Sequence, residues 1–326
     1  MKPADRVGRY FEKYIKGFAF CELSAGYLKK AGVFDIMNGV PVPLGKEGLA
    51  ESGGGVPLAR LAENMCMVIG SDPDFTYAQN YADFLTGLYG DKVCEGIIKE
   101  GERAALSGDF GMACVFFRAA LRFSPGHLSA MYGYAKACRE MYLLSEDEEC
   151  TGRFKAESMS VFESLAEVHP EFAGSYYYLG YAYLNAGLYL KAELTWREFL
   201  KRGGDLDEME EIKERLAKIA EPVEIERGYN MALSGRFAQG LEILEPFLET
   251  QFKTWWPLSY YLGICYRGLS QNDKALLSFK NVLTMNASHV ATMEELADLY
   301  AKAGDHESGE KYRKKIEILL DGPARV

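Results

Sequence analysis

The chain has 326 residues, 48% hydrophobic and 26% charged, an apolar supply that excludes a disordered polymer and suits a continuous buried core. Its net charge of −10 makes nucleic acid and anionic lipid unexpected partners; the acidity lies after residue 60, because residues 1–60 hold nine Lys/Arg against six Asp/Glu. No run approaches the ~20 apolar residues of a membrane span, and Lys13 and Lys16 break the start as a signal peptide, so neither is expected. The seven cysteines are odd in number and scattered without a Cys-x-x-Cys pair, which reads as reduced core thiols in a cytoplasmic protein, with no cofactor or metal.

In chain order, residues 4–30 read as one long helix, with Val7, Phe11, Ile15 and Phe18 three or four residues apart. Residues 38–57, rich in Pro41, Pro43 and the Gly53-Gly54-Gly55 run, predict an irregular loop, and no sheet is expected anywhere. Residues 57–69 and 73–89 follow as a degenerate helix pair, closing an irregular helical segment over 1–93. From 94 the pattern repeats. Residues 94–127 carry Gly101, Gly108, Ala113, Phe117, Ala120 and Pro125. Residues 128–172 span 45 residues, with a surplus placed near 145–152, where Glu146-Asp147-Glu148-Glu149 reads as a solvated loop. Residues 173–206 bring Tyr176, Leu179, Gly180, Tyr183, Gly187, Ala192, Trp196 and Phe199. Residues 205–220 form an amphipathic helix, with Leu206, Met209, Ile212, Leu216 and Ile219 on one stripe and no partner in the repeat parity. Units over 221–254, 256–289 and 290–323 follow, ending at the helix stop Asp321-Gly322-Pro323.

Residues 173–206 and 256–289 (Leu262, Gly263, Tyr266, Ala275, Phe279, Val282) closely resemble the tetratricopeptide repeat, a 34-residue pair of antiparallel helices. The resemblance implies an all-α fold, a right-handed α-α superhelix in which stacked hairpins form a solenoid, with repeats over 94–206 and 221–323. It also implies that the first helix of each hairpin lines an inner surface. At its inner positions stand Tyr132, Lys136 and Arg139, then Tyr177 and Tyr181, then Tyr229, then Tyr260 and Arg267. Tyrosine offers a large ring and a hydroxyl at low entropic cost, which suits peptide contacts. Tyr178 and Tyr261, beside them, are expected to pack between repeats. The carboxylate clamp of chaperone-tail binders is not expected, because its Lys and Asn positions hold Ile98 and Glu102 in the first clear repeat.

The expected function is therefore a scaffold or adaptor that binds a protein or peptide segment, not an enzyme. The four histidines, His127, His169, His289 and His306, fall mostly at repeat ends, and no zincin or hydrolase motif is present. Self-association stays open, with residues 40–44 as an extended arm for a neighbour's groove. The alternative is a peptide-responsive regulator: Ile36-x-x-Gly39-x-x-x-Pro43 with the helix after it is similar to the end of a helix-turn-helix domain, although no turn-helix segment precedes it. Gly39 to Lys46 misses a phosphate loop by one residue of spacing, and Glu47 stands where a Ser or Thr would hold magnesium.

Overall fold

A computed structural model describes residues 5–30, 32–45 and 57–321. Its beginning departs from the expected long helix. Two 3-10 turns, Gly8–Tyr10 and Glu12–Tyr14, precede strand β1 (Phe18–Glu22); short helices α1 (Ala25–Lys30) and α2 (Phe34–Met37) then lead into strand β2 (Pro41–Gly45). The strands pair antiparallel, Phe18 opposite Gly45 and Glu22 opposite Pro41. A small sheet therefore exists where none was expected, and the 40–45 stretch is regular structure rather than loop. The rest of that Gly-rich stretch, and the stop at Gly322-Pro323, lie outside the described residues.

The physical reasons are local. Gly8, Gly17 and Gly26 each weaken a helix over 4–30 by roughly 1 kcal/mol. Val7 and Phe11 are fully buried, as their spacing promised, but from short turns: Phe11 packs on Phe154 and beneath the Arg118 guanidinium. Pro41 and Pro43 have no N–H for a ladder, which an edge strand tolerates. Helices cover that edge. Asn64 Nδ2 donates to the Pro43 carbonyl at 3.0 Å, and the Tyr81 hydroxyl donates to the Pro41 carbonyl at 2.5 Å. Val40 and Val42 are buried, so residues 40–44 are not an arm available to a neighbour. The helix-turn-helix resemblance fails at the same place, since Pro43 lies in a strand and the two helices before it have six and four residues.

From residue 58 the described chain is helical. Helix α3 (Leu58–Ser71) is followed by α4 (Ala78–Tyr89), α5 (Val93–Leu106) and α6 (Phe110–Phe123), and α3 packs chiefly along α6. Hairpins follow: α7 (Leu128–Leu144) with α8 (Glu148–Val168), then α9 (Ala173–Asn185) before α10 (Tyr189–Arg202). After α11 (Leu206–Lys218) come α12 (Ala220–Leu233) with α13 (Phe237–Leu244), α14 (Trp256–Gly268) with α15 (Asn272–Met285), and α16 (Val290–Lys302) with α17 (His306–Asp321). On the α11 stripe Ile212 and Ile219 are buried, whereas Leu206 is 81% exposed.

One rule holds the hairpins closed. A glycine on the first helix lies against a large side chain sixteen positions later on the second: Gly101 under Phe117, Gly180 under Trp196, Gly228 under Leu244 and Gly263 under Phe279. All four large side chains are essentially inaccessible. A Cβ on Gly101 or Gly263 would come within 2.9 or 2.6 Å of the facing ring, so only glycine lets the helices approach this closely. The all-α array of tetratricopeptide-like hairpins rests on this geometry.

The surplus at 145–152 is not a solvated loop. It lengthens the helices: α7 has 17 residues and α8 has 21, joined by only Ser145 to Asp147. Asp147 caps α8 by accepting from the Cys150 amide, and Glu149 pairs with Arg9 at 2.7 Å and with Arg153 at 2.9 Å. The acidic run thus anchors the N-terminal segment, which Asp5 to Arg118 and Arg6 to Glu157 also tie down.

The chain divides into two compact units. The first comprises Met1–Ala186 and Thr195–Gly204, the second Gly187–Leu194 and Asp205–Val326. The division falls inside α10, not only at the helix over 205–220. Among the described residues no helix is long and apolar enough to cross a membrane.

Candidate functional site

In the first unit the tyrosines expected on an inner face lie on α7 and α9. Tyr132 stands edge-on to Phe172 at 5.0 Å and 5.9 Å from Tyr178, which stacks almost parallel on Phe162 at 5.2 Å. Tyr178 is therefore a packing residue between neighbouring hairpins, as its flank position predicted. Tyr177 and Tyr181 contact each other edge-on at 5.3 Å, and each is backed by the next helix, Tyr177 by Phe199 and Tyr181 by Trp196. All are half-buried. The two cations expected here cover aromatic faces: the Lys136 ammonium lies over Tyr132 and Tyr178, and the Arg139 guanidinium lies over Tyr178 while pairing with Glu140 at 2.7 Å. Tyr132 and Lys136 border an apolar cleft of about 720 Å³ between α5 and α7, with Leu106 and Phe110 on its other side.

The second unit gathers Tyr229 from α12 and Tyr260 from α14. Tyr229 stacks on Tyr261 with centroids 4.1 Å apart, so Tyr261, like Tyr178, is engaged between hairpins. Tyr260 stands edge-on to Tyr261 and to His289. Two tryptophans that the repeat template does not flag complete the wall. Trp255 caps α14 and lies 6.2 Å from Tyr229, and Trp256 faces the His289 imidazole at 4.4 Å. They enclose a cleft of about 380 Å³, with Tyr189 and Glu226 at its border. The legible signal for the pair was their place just before and at the start of a first helix. The template marks neither position.

Arg267 is not available as expected. It is paired with Glu295 on α16, which satisfies its charge within the unit. Burial still pushes the Glu295 carboxyl above the usual carboxylate range, with Arg267 opposing.

The cleft is electrostatically simple. Burial raises the pKa of the Tyr229 phenol far above its ordinary value and raises those of Tyr260 and Tyr261 as well. The Tyr229 hydroxyl is buried and has no hydrogen-bond partner among the described residues. His289 caps α16 by accepting from the Thr292 amide at 3.2 Å, and burial lowers its pKa, favouring the neutral ring. Glu226 accepts from the Leu190 amide at 2.8 Å.

Among the described residues no group of three or more His, Cys, Asp or Glu side chains is arranged to hold a metal. Six of the seven cysteines are buried free thiols; burial pushes Cys66 up to about 12 and Cys265 to about 11, away from nucleophilic reactivity.

No family model matches the sequence, and no curated protein matches it. The chain is similar to several solved helical-repeat structures. One is the P58(IPK) TPR domain (20% identity, TM-score 0.38, 71% of this chain and 61% of that one). Another is YrrB, described as a TPR protein with an unusual peptide-binding site (14%, 0.31, 64% and 93%). A third is MamA from Desulfovibrio magneticus RS-1, from its residue 41 onward (13%, 0.29, 73% and 99%).

Proposed function

We propose that this protein is an interaction scaffold without catalytic activity, acting in the cytoplasm, that holds a peptide segment of another protein against the first-helix faces of its hairpins. The observation that carries the reading is the concentration of half-buried tyrosines on those faces. Tyr132, Tyr177 and Tyr181 stand in the first unit with Lys136 and Arg139 beside them. Tyr229 and Tyr260 stand in the second, with Arg267 nearby. Rings of this kind are held by packing on one side and, half-buried, present part of their surface to a ligand, which keeps the entropic cost of binding low.

The test uses two double variants. Tyr177→Phe with Tyr181→Phe keeps the ring packing on Phe199 and Trp196; Tyr177→Ala with Tyr181→Ala removes it. A ligand selected from a displayed peptide library against the native chain is titrated with each. The alanine variant is expected to lose binding at least about tenfold with helicity unchanged, and the phenylalanine variant to retain part of it. Undiminished binding by the alanine variant refutes the groove assignment.

A further inference from the structure

We infer that the aromatic cleft of the second unit takes a cationic side chain, a lysine or arginine presented by the bound peptide. This rests on the peptide-binding reading and adds the chemistry that one cleft recognises. Its walls are the faces and edges of Tyr229, Trp255, Trp256, Tyr260 and Tyr261, and among the described residues Glu226 is the one formally charged side chain on its border. Aromatic faces carry negative potential, and tryptophan attracts cations most strongly. A carboxylate at the rim adds to the same sign.

The first unit supplies the contrast. There Lys136 and Arg139 of the chain itself already cover the Tyr132 and Tyr178 faces. In the second unit no lysine or arginine among the described residues borders the cleft. The charges acting on Tyr260 are the carboxylates Glu295 and Glu294 and the Arg267 guanidinium, which is paired with Glu295. His289 enters the wall as a neutral capping imidazole. The Tyr229 hydroxyl, buried behind its ring, has no hydrogen-bond partner among the described residues, so the ring borders the cleft with no charge or hydrogen-bonded group behind it.

The full-length chain is titrated with small probes at constant ionic strength, and its indole N–H resonances are followed by NMR. The probes are tetramethylammonium, Nα-acetyl-lysine methylamide, its neutral isostere Nα-acetyl-norleucine methylamide, and Nα-acetyl-glutamate methylamide. Substituting Trp255→Phe and Trp256→Phe separately assigns the two resonances; Trp196, sealed inside its hairpin, is the internal control. The cations are expected to move the Trp255 and Trp256 signals but not that of Trp196, with the lysine derivative bound about fivefold tighter than norleucine. Glu226→Gln keeps an acceptor for the Leu190 amide and removes the charge; it is expected to weaken cation binding about threefold.

Equal response to the neutral isostere, preference for the glutamate derivative, or unmoved Trp255 and Trp256 signals overturns the inference. Because these probes need no partner protein, cation binding by a chain that selects no peptide supports the inference and refutes the scaffold reading. A selected peptide whose binding ignores its basic residues and Glu226→Gln does the reverse.

Discussion

Replacing Gly180 by alanine sets two physical effects of opposite sign against each other. Gly180 lies in the interior of α9, where alanine is favoured by about 1 kcal/mol on helix propensity alone. Its added Cβ, however, would fall against three atoms of the Trp196 indole, the farthest of them, Cε2, at 2.5 Å where ordinary contact is about 3.5 Å. Trp196 cannot retreat, because it is fully buried and its Nε1–H donates to the Tyr177 carbonyl at 3.1 Å. Overpacking of this kind costs about 1–3 kcal/mol, and displacing the indole from its acceptor adds about 1–3 kcal/mol for a buried donor. After subtracting the propensity gain, Gly180→Ala is expected to destabilise by about 1–5 kcal/mol.

The control is Gly152, also inside a helix but exposed, with open space where its Cβ would go. Gly152→Ala is expected to stabilise by up to about 1 kcal/mol. Urea denaturation followed by circular dichroism reads both variants. Stacked hairpins exchange stability mainly with their neighbours, so hydrogen exchange across α9 localises the loss. If Gly180→Ala proves as stable as Gly152→Ala, the close approach of α9 to the Trp196 helix segment is wrong, and the sixteen-residue rule fails with it.

Tyr229→Phe removes a buried hydroxyl without a partner, so calorimetry should show stability rising by about 1 kcal/mol while affinity for a selected peptide falls; a loss of stability would mean the hydroxyl is already satisfied. Asn64→Ala leaves the Pro43 carbonyl unpaired and should cost about 1–2 kcal/mol, visible as faster amide exchange in β2 with the later hairpins unaffected. His289 has a folded pKa below its ordinary value near 6.5, so its stabilising contribution is complete above that pH and declines as pH falls through the lower folded value. Thermal melts should therefore show an acid-side loss that His289→Asn, which keeps a capping oxygen, diminishes; an identical pH profile in the variant would show that this imidazole is not the group responsible.

The sequence alone determined the hairpins, because their requirement is local and periodic. The 34-residue repeat brings a small residue of the first helix against a bulky one of the second, and the structure shows that contact sixteen positions apart at 101, 180, 228 and 263. The sequence also placed Tyr178 and Tyr261 between repeats, and their stacking partners, Phe162 and Tyr229, do come from the adjacent hairpin. Tertiary structure alone decided the rest. Pro41 and Pro43 look like loop residues until Asn64 and Tyr81, more than twenty residues away, take up the carbonyls of the strand they occupy. The 145–152 surplus looks like a loop until Arg9 and Arg153 meet Glu149. Arg267 looks like a groove cation until Glu295, on a later helix, neutralises it. In each case a polar or charged group was assigned by its own residue type, whereas its state depends on a partner that only the folded chain brings within reach.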